Sequence, residues 1–254
     1  MKKILFFAFI VLFLSSCATL PSVSSTALSK TKTDEYTYYD ASSKVHYEIS
    51  NDADYLHIKL NTADFASINK IVKTGLTIYF DVEGKKDDAI SLEYPLANKQ
   101  KLSSRDKPSL GSTQNRGFEL DKMLSQKSKE AVFTHYETRE PFLIDFNNSG
   151  IEVALSTTKN KEIVYEVRIP FEKIKDEGLA SLENLSIGIV SGKMNMPNTG
   201  GAKPSGISNG GRQGGGGKRG GGMHSGGNRP AGMDMSSMMT PIKIWVKVNL
   251  HQGS

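Results

Sequence analysis

The 254 residues contain one cysteine, Cys17, and one tryptophan, Trp245. A single thiol excludes an intramolecular disulfide and every zinc or redox site built on paired cysteines. The chain has no His-Glu-x-x-His pair and no Cys-x-x-Cys, and its one Gly-x-Ser-x-Gly spacing, Gly206 to Gly210, lies inside a glycine-rich stretch and not at a strand-to-helix elbow. The run from Arg212 to Arg219 imitates a P-loop only in its glycines: Arg212 occupies the first glycine's place, and Arg219 replaces the Ser or Thr that would hold magnesium. No constellation supports an enzyme, and the expectation is a non-catalytic protein. There is also no apolar run of membrane-spanning length. The longest, residues 4–14, has eleven residues, which as a helix would cover roughly 16 Å, about half of a bilayer's hydrocarbon core.

That run follows Met1-Lys2-Lys3 and precedes Leu14-Ser15-Ser16-Cys17. Two positive charges, an apolar stretch and small residues before a cut site make a secretory signal. The last four residues resemble the lipobox of bacterial lipoproteins. The resemblance implies cleavage before Cys17, diacylation of its sulfur and acylation of the new amino group. Residues 1–17 are therefore expected to be a lipoprotein signal peptide, with the lipid as the link to the membrane. Two or three acyl chains make such anchoring effectively permanent. Ala18 is not the aspartate that retains many lipoproteins at the inner membrane, so outer membrane is the expected location.

Acid is missing from one long stretch. Residues 200–232 hold fifteen glycines and five basic residues (Lys203, Arg212, Lys218, Arg219, Arg229) but no Asp or Glu. Without these five and the signal's Lys2 and Lys3, the rest has 25 basic against 27 acidic residues. The body of the protein is not basic, and nucleic acid is not an expected partner. A stretch so poor in apolar residues cannot offset its ordering entropy, and an insertion of about residues 194–240 is expected to be disordered. Seven of the nine methionines fall between residues 194 and 239. Thioethers favour Cu(I), so Met223, His224, Met233, Met235, Met238 and Met239 form a candidate copper site, against the alternative of a low-complexity spacer. Copper is the cofactor that this cluster suggests.

Residues 18–35 are rich in Ser and Thr and read as a flexible tether. Residues 36–252 read as one domain. Val45, Tyr47 and Ile49 alternate with His46 and Glu48, and Leu56, Ile58 and Leu60 with His57 and Lys59. The turn 51–54 between them makes an antiparallel hairpin with one buried face. Further strands are expected at 76–82, 89–94, 142–146, 151–157, 163–169, 185–190 and 242–250. Helices are expected from Asp64 to Lys73, ending at Gly75, and more weakly at 118–128. This pattern predicts a mainly β fold, an antiparallel β-sandwich with one or two short helices.

Three further groups admit two readings each. His46 and His57 could form a metal site on the outer sheet surface, or be two solvated strand histidines. Asp81, Glu83, Asp87 and Asp88 could ligate calcium, or make an acidic loop balanced by Lys85 and Lys86. Trp245, on the polar side of the last strand, could be a stacking platform for a ligand, or be covered by a neighbouring loop.

Four segments together resemble a family. Gly75 to Lys86 looks like a central strand entering a polar turn, and Tyr165 to Ile174 like a strand, a proline and a short helix. Leu185 to Gly192 and the closing strand 242–250 complete the order. It is similar to the DOMON-like superfamily, including carbohydrate-binding module family nine, and to lipoproteins of Bacteroidetes-type bacteria. The resemblance implies a ligand- or partner-binding β-sandwich. Sugar-binding members grip a sugar between two tryptophans, whereas this chain has only Trp245. Haem-binding members use methionine with histidine or lysine, and no such pair falls on matching strands here. The function expected is an envelope lipoprotein that binds a carbohydrate or an envelope protein, with copper handling as the alternative.

Overall fold

The computed structural model describes residues 20–27, 36–97, 115–194 and 239–252. They form two sheets. The chain runs β1 (Ser22–Ser24), β2 (Thr26–Ala27), β3 (Tyr38–Asp40), β4 (Val45–Asn51), β5 (Tyr55–Thr62), α1 (Phe65–Thr74), β6 (Leu76–Asp81) and β7 (Ile90–Glu93). It continues through α2 (Asn115–Ser125), β8 (Glu130–His135), β9 (Thr138–Leu143), β10 (Glu152–Thr157), β11 (Ile163–Pro170), α3 (Phe171–Ile174), β12 (Ser186–Ser191) and β13 (Lys243–Asn249). Sheet A has the order β1-β13-β12-β6-β7-β8-β9, and sheet B the order β10-β11-β5-β4-β2, with β3 also paired to β4.

Period-2 alternation builds both sheets. Along β13, Ile244, Val246 and Val248 are buried, while Trp245 and Lys247 are half-buried on the other side. β5 and β11 pair in antiparallel register, Leu60 opposite Tyr165 and Ile58 opposite Val167, and these four side chains are buried. Ile78, Phe80, Leu92, Ile187 and Ile189 of sheet A join them in one continuous core. Each fully buried aliphatic contributes about 1.5–3 kcal/mol, so facing apolar stripes decide the architecture.

The helix α1 follows its sequence closely. Asp64 caps it by accepting from the Ser67 N–H at 3.0 Å, and Gly75, at φ 83°, ends it with its N–H on the Ile71 carbonyl. Elsewhere boundaries move. α2 begins and ends about three residues earlier than expected. β8, which was not expected, is a strand whose Ala131 and Phe133 enter the core. β9 lies at Thr138–Leu143 rather than 142–146 and is the outer strand of sheet A. Its Pro141, which lacks an N–H, is tolerated at an edge.

The tether expectation for residues 18–35 needs a correction at residues 22–27. β1 runs parallel to β13 and closes one edge of sheet A, while β2 runs parallel to β4 and closes an edge of sheet B. Val23 enters the core, but polar contacts do most of the docking. The Glu48 carboxylate accepts from Thr26 Oγ1 at 2.7 Å and from the Thr37 N–H at 2.8 Å. The Tyr38 hydroxyl donates to the Ser24 carbonyl at 2.8 Å, and Ser25 Oγ donates to Asn51 Oδ1. Glu48 is thereby buried, on the face of the hairpin expected to meet solvent. The insertion proposed for residues 194–240 lies outside the described residues, apart from its two ends.

Candidate ligand face

The outer faces of the two sheets differ in chemistry. That of sheet B carries Lys59 with Glu166 at 3.5 Å, Arg168 with Glu152 at 2.7 Å and His57 with Asp52 at 3.2 Å. Arg168 also lies 3.4 Å over the Tyr55 ring. Lys59 and Arg168 are thus each paired with a carboxylate. The register sets His57 opposite Ser50 and His46 opposite Asn61. The two histidines are thus four residues apart along the ladder, roughly 13 Å, and share no site. His46 packs instead on Tyr39, ring centres 4.5 Å apart.

The outer face of sheet A centres on an aromatic pair, with Lys243, Lys247, Glu93 and Arg139 around it. Gly188 of β12 sits between Trp245 of β13 and Tyr79 of β6, directly opposite each. The two rings are nearly parallel, 13° apart, with centroids 5.7 Å apart. A Cβ on Gly188 would lie 2.5 Å from the indole, so glycine is what lets the ring lie against the sheet. Tyr79 pairs on with Ser91 of β7. Beside this row is a cavity of about 170 Å³, lined by Thr77, Tyr79, Glu93, Pro95 and Val190 among others. Glu93 is held at its margin by Arg139 at 3.1 Å. Burial, with the charges of Asp88 and Glu93, pushes the Tyr79 phenol above its ordinary pKa. At neutral pH it stays protonated and can donate a hydrogen bond.

Sequence reasoning singled out Trp245, but not Tyr79 or Gly188. Tyr79 looked like one residue of an apolar strand, and only the sheet order brings it within reach of β13. The strand order puts β12 between them, and no linear pattern shows that.

The acidic loop is a turn built on one carboxylate. Asp81 is 2% exposed and accepts from the N–H groups of Glu83 at 2.8 Å and Lys86 at 2.6 Å, and from Ser186 Oγ at 3.1 Å. Burial alone would raise its pKa, but these bonds and one from the Asp87 N–H hold it below the usual carboxylate range. Its lone pairs are occupied by the chain's own donors. Among the described residues no group of three or more His, Cys, Asp or Glu side chains could hold a metal ion. Of the candidate copper ligands, Met223, His224, Met233, Met235 and Met238 lie outside the described residues, and Met239 is 54% exposed just before β13.

Residues 1–18 match the family model of the prokaryotic membrane lipoprotein lipid attachment site. The chain carries a lipoprotein anchor. Cys17, the sole cysteine, is the only thiol that can accept the lipid, and the protein is a lipid-anchored component of the cell envelope. Cys17 itself lies outside the described residues. No curated protein and no solved structure matches the chain.

Proposed function

We propose that this lipoprotein is a non-catalytic binding module that takes a carbohydrate chain on the outer face of sheet A, against Trp245 and Tyr79. The observation that carries this is the pair of near-parallel rings, 5.7 Å apart over a glycine. The apolar C–H face of a sugar ring stacks on such a surface, while its hydroxyls need hydrogen-bonding groups at the rim. Thr77, Tyr79 and Glu93 supply those groups. The resemblance to DOMON-like sandwiches supports a binding role, although with the two rings only 5.7 Å apart the sugar would lie across both and not between them. In this proposal the acyl chains on Cys17, palmitate among them, hold the module at the outer membrane.

Affinity electrophoresis through gels containing soluble polysaccharides tests the binding role. At least one polysaccharide should retard the wild type, with Trp245→Ala and Tyr79→Ala abolishing the retardation. Wild type and both variants migrating alike in every gel would remove the carbohydrate reading. Palmitate labelling tests the anchor: Cys17→Ser should lose the label and leave the membrane fraction.

A further inference from the structure

Among the described residues, the first backbone contact lies very close in sequence to the lipid. The Pro21 carbonyl accepts the Lys247 N–H at 2.9 Å, and from there β1 is zipped onto β13, with Ser22 opposite Lys247 and Ser24 opposite Asn249. Only Ala18, Thr19 and Leu20 separate Pro21 from Cys17. Whatever path they take, four residues cannot span more than about 14 Å. The acyl chains on Cys17 must lie within the bilayer, so its sulfur is at the headgroup level.

We infer that the β1–β13 edge of sheet A is the membrane-facing surface, and that its partner is the headgroup layer of the bilayer holding the anchor. The side chains beside that edge suit an anionic surface. Lys243 is exposed and Lys247 half-buried, and they flank Trp245 on the same side of β13. Lys247 Nζ also reaches Asn184 Oδ1 at 3.1 Å. Lysines within a Debye length of lipid phosphates are attracted to them. The opposite edge is β9, six strands from β1, roughly 29 Å away at 4.8 Å per strand. A tether of eighteen residues would let the domain tumble, whereas a spacer of three fixes which edge faces the lipid. The aromatic platform then opens one strand from the membrane, where a ligand attached to the envelope would be met. The orientation rests on the anchor and on the β1 register, not on what the platform binds.

The sole native thiol is acylated, so an introduced cysteine can be labelled alone. Full-length lipidated protein carrying Lys243→Cys or Glu137→Cys, the latter in the turn between β8 and β9, would be labelled with a fluorophore. Each would be reconstituted into phosphatidylethanolamine–phosphatidylglycerol vesicles with a headgroup nitroxide quencher. The label at 243 should be quenched at least fivefold more strongly than that at 137. Equal quenching, or stronger quenching at 137, overturns the inference. In a second pair a twelve-residue Gly/Ser spacer is inserted between Thr19 and Leu20, and quenching is read in high salt. The difference should disappear. Its persistence would show that the short spacer does not set the orientation.

Discussion

Asn51 and His251, two hundred residues apart, exchange two hydrogen bonds: the His251 N–H donates to Asn51 Oδ1 at 3.0 Å, and Asn51 Nδ2 donates to the His251 carbonyl at 2.9 Å. The same amide accepts from Ser25 Oγ and donates to the Asp52 carbonyl at 2.8 Å. One buried side chain at the end of β4 thus ties sheet B, the docked N-terminal segment and the C-terminal end of the chain together.

Asn51→Ala should therefore cost about 2–4 kcal/mol, because it leaves several buried donors and acceptors unpaired. Chemical denaturation measures the loss. Hydrogen exchange should speed up over residues 22–27 before the rest of the sandwich opens. A loss below about 0.5 kcal/mol would mean that water replaces the amide without cost.

Tyr165 presents the opposite case. It is fully buried in the core, and its hydroxyl has no hydrogen-bond partner among the described residues. An unpaired buried hydroxyl is destabilising, so Tyr165→Phe should leave stability unchanged or raise it by about 1 kcal/mol. A drop of more than 1 kcal/mol on thermal unfolding would reveal a partner for that hydroxyl.

Asp81 predicts a pH dependence. Its folded pKa is depressed, so its contribution is present above the unfolded value of about 3.9 and fades as pH falls below it, toward the folded pKa. The stability difference between wild type and Asp81→Asn should be constant from pH 7 to about pH 5 and shrink below pH 4. A difference that does not change down to pH 3 would contradict the turn's dependence on the ionised carboxylate.

Much of this was legible in the residues. The alternation of Leu56, Ile58 and Leu60, and of Ile244, Val246 and Val248, gave the buried faces of β5 and β13, because side-chain direction in a strand has a strict period of two. Gly75 marked the end of the helix by capping chemistry, whereas Asp64, read as its first residue, is its cap in the structure. What escaped was pairing that depends on polar partners far away in the chain. Ser22 to Ala27 has one apolar core residue, Val23, and its strands exist because Glu48, Asn51 and β13 offer partners. The candidate site was half legible: a lone tryptophan on a polar strand face stood out, while Tyr79 and Gly188 gained meaning only from the order β13-β12-β6.

The methionine cluster carries the rival proposal, copper handling. Thioether sulfur has no proton to lose, so Cu(I) affinity from these residues should be nearly unchanged between pH 7 and pH 5. On that proposal the full chain competes with a chromogenic chelator for Cu(I), and replacing Met233, Met235, Met238 and Met239 by leucine weakens it at least tenfold. Equal competition by both proteins retires copper.

The central claim is that a ligand stacks on Trp245, and the chain's only tryptophan reports on that position without labelling. Fluorescence titration of the wild type with oligosaccharides cut from the polysaccharide that retards it should give a saturable blue shift. Tyr79→Ala should weaken the apparent affinity at least tenfold, a loss of about 1.4 kcal/mol, while leaving the unfolding midpoint within a few degrees. Emission that does not respond to a bound oligosaccharide, or a Tyr79→Ala titration that overlays the wild type, would contradict the claim.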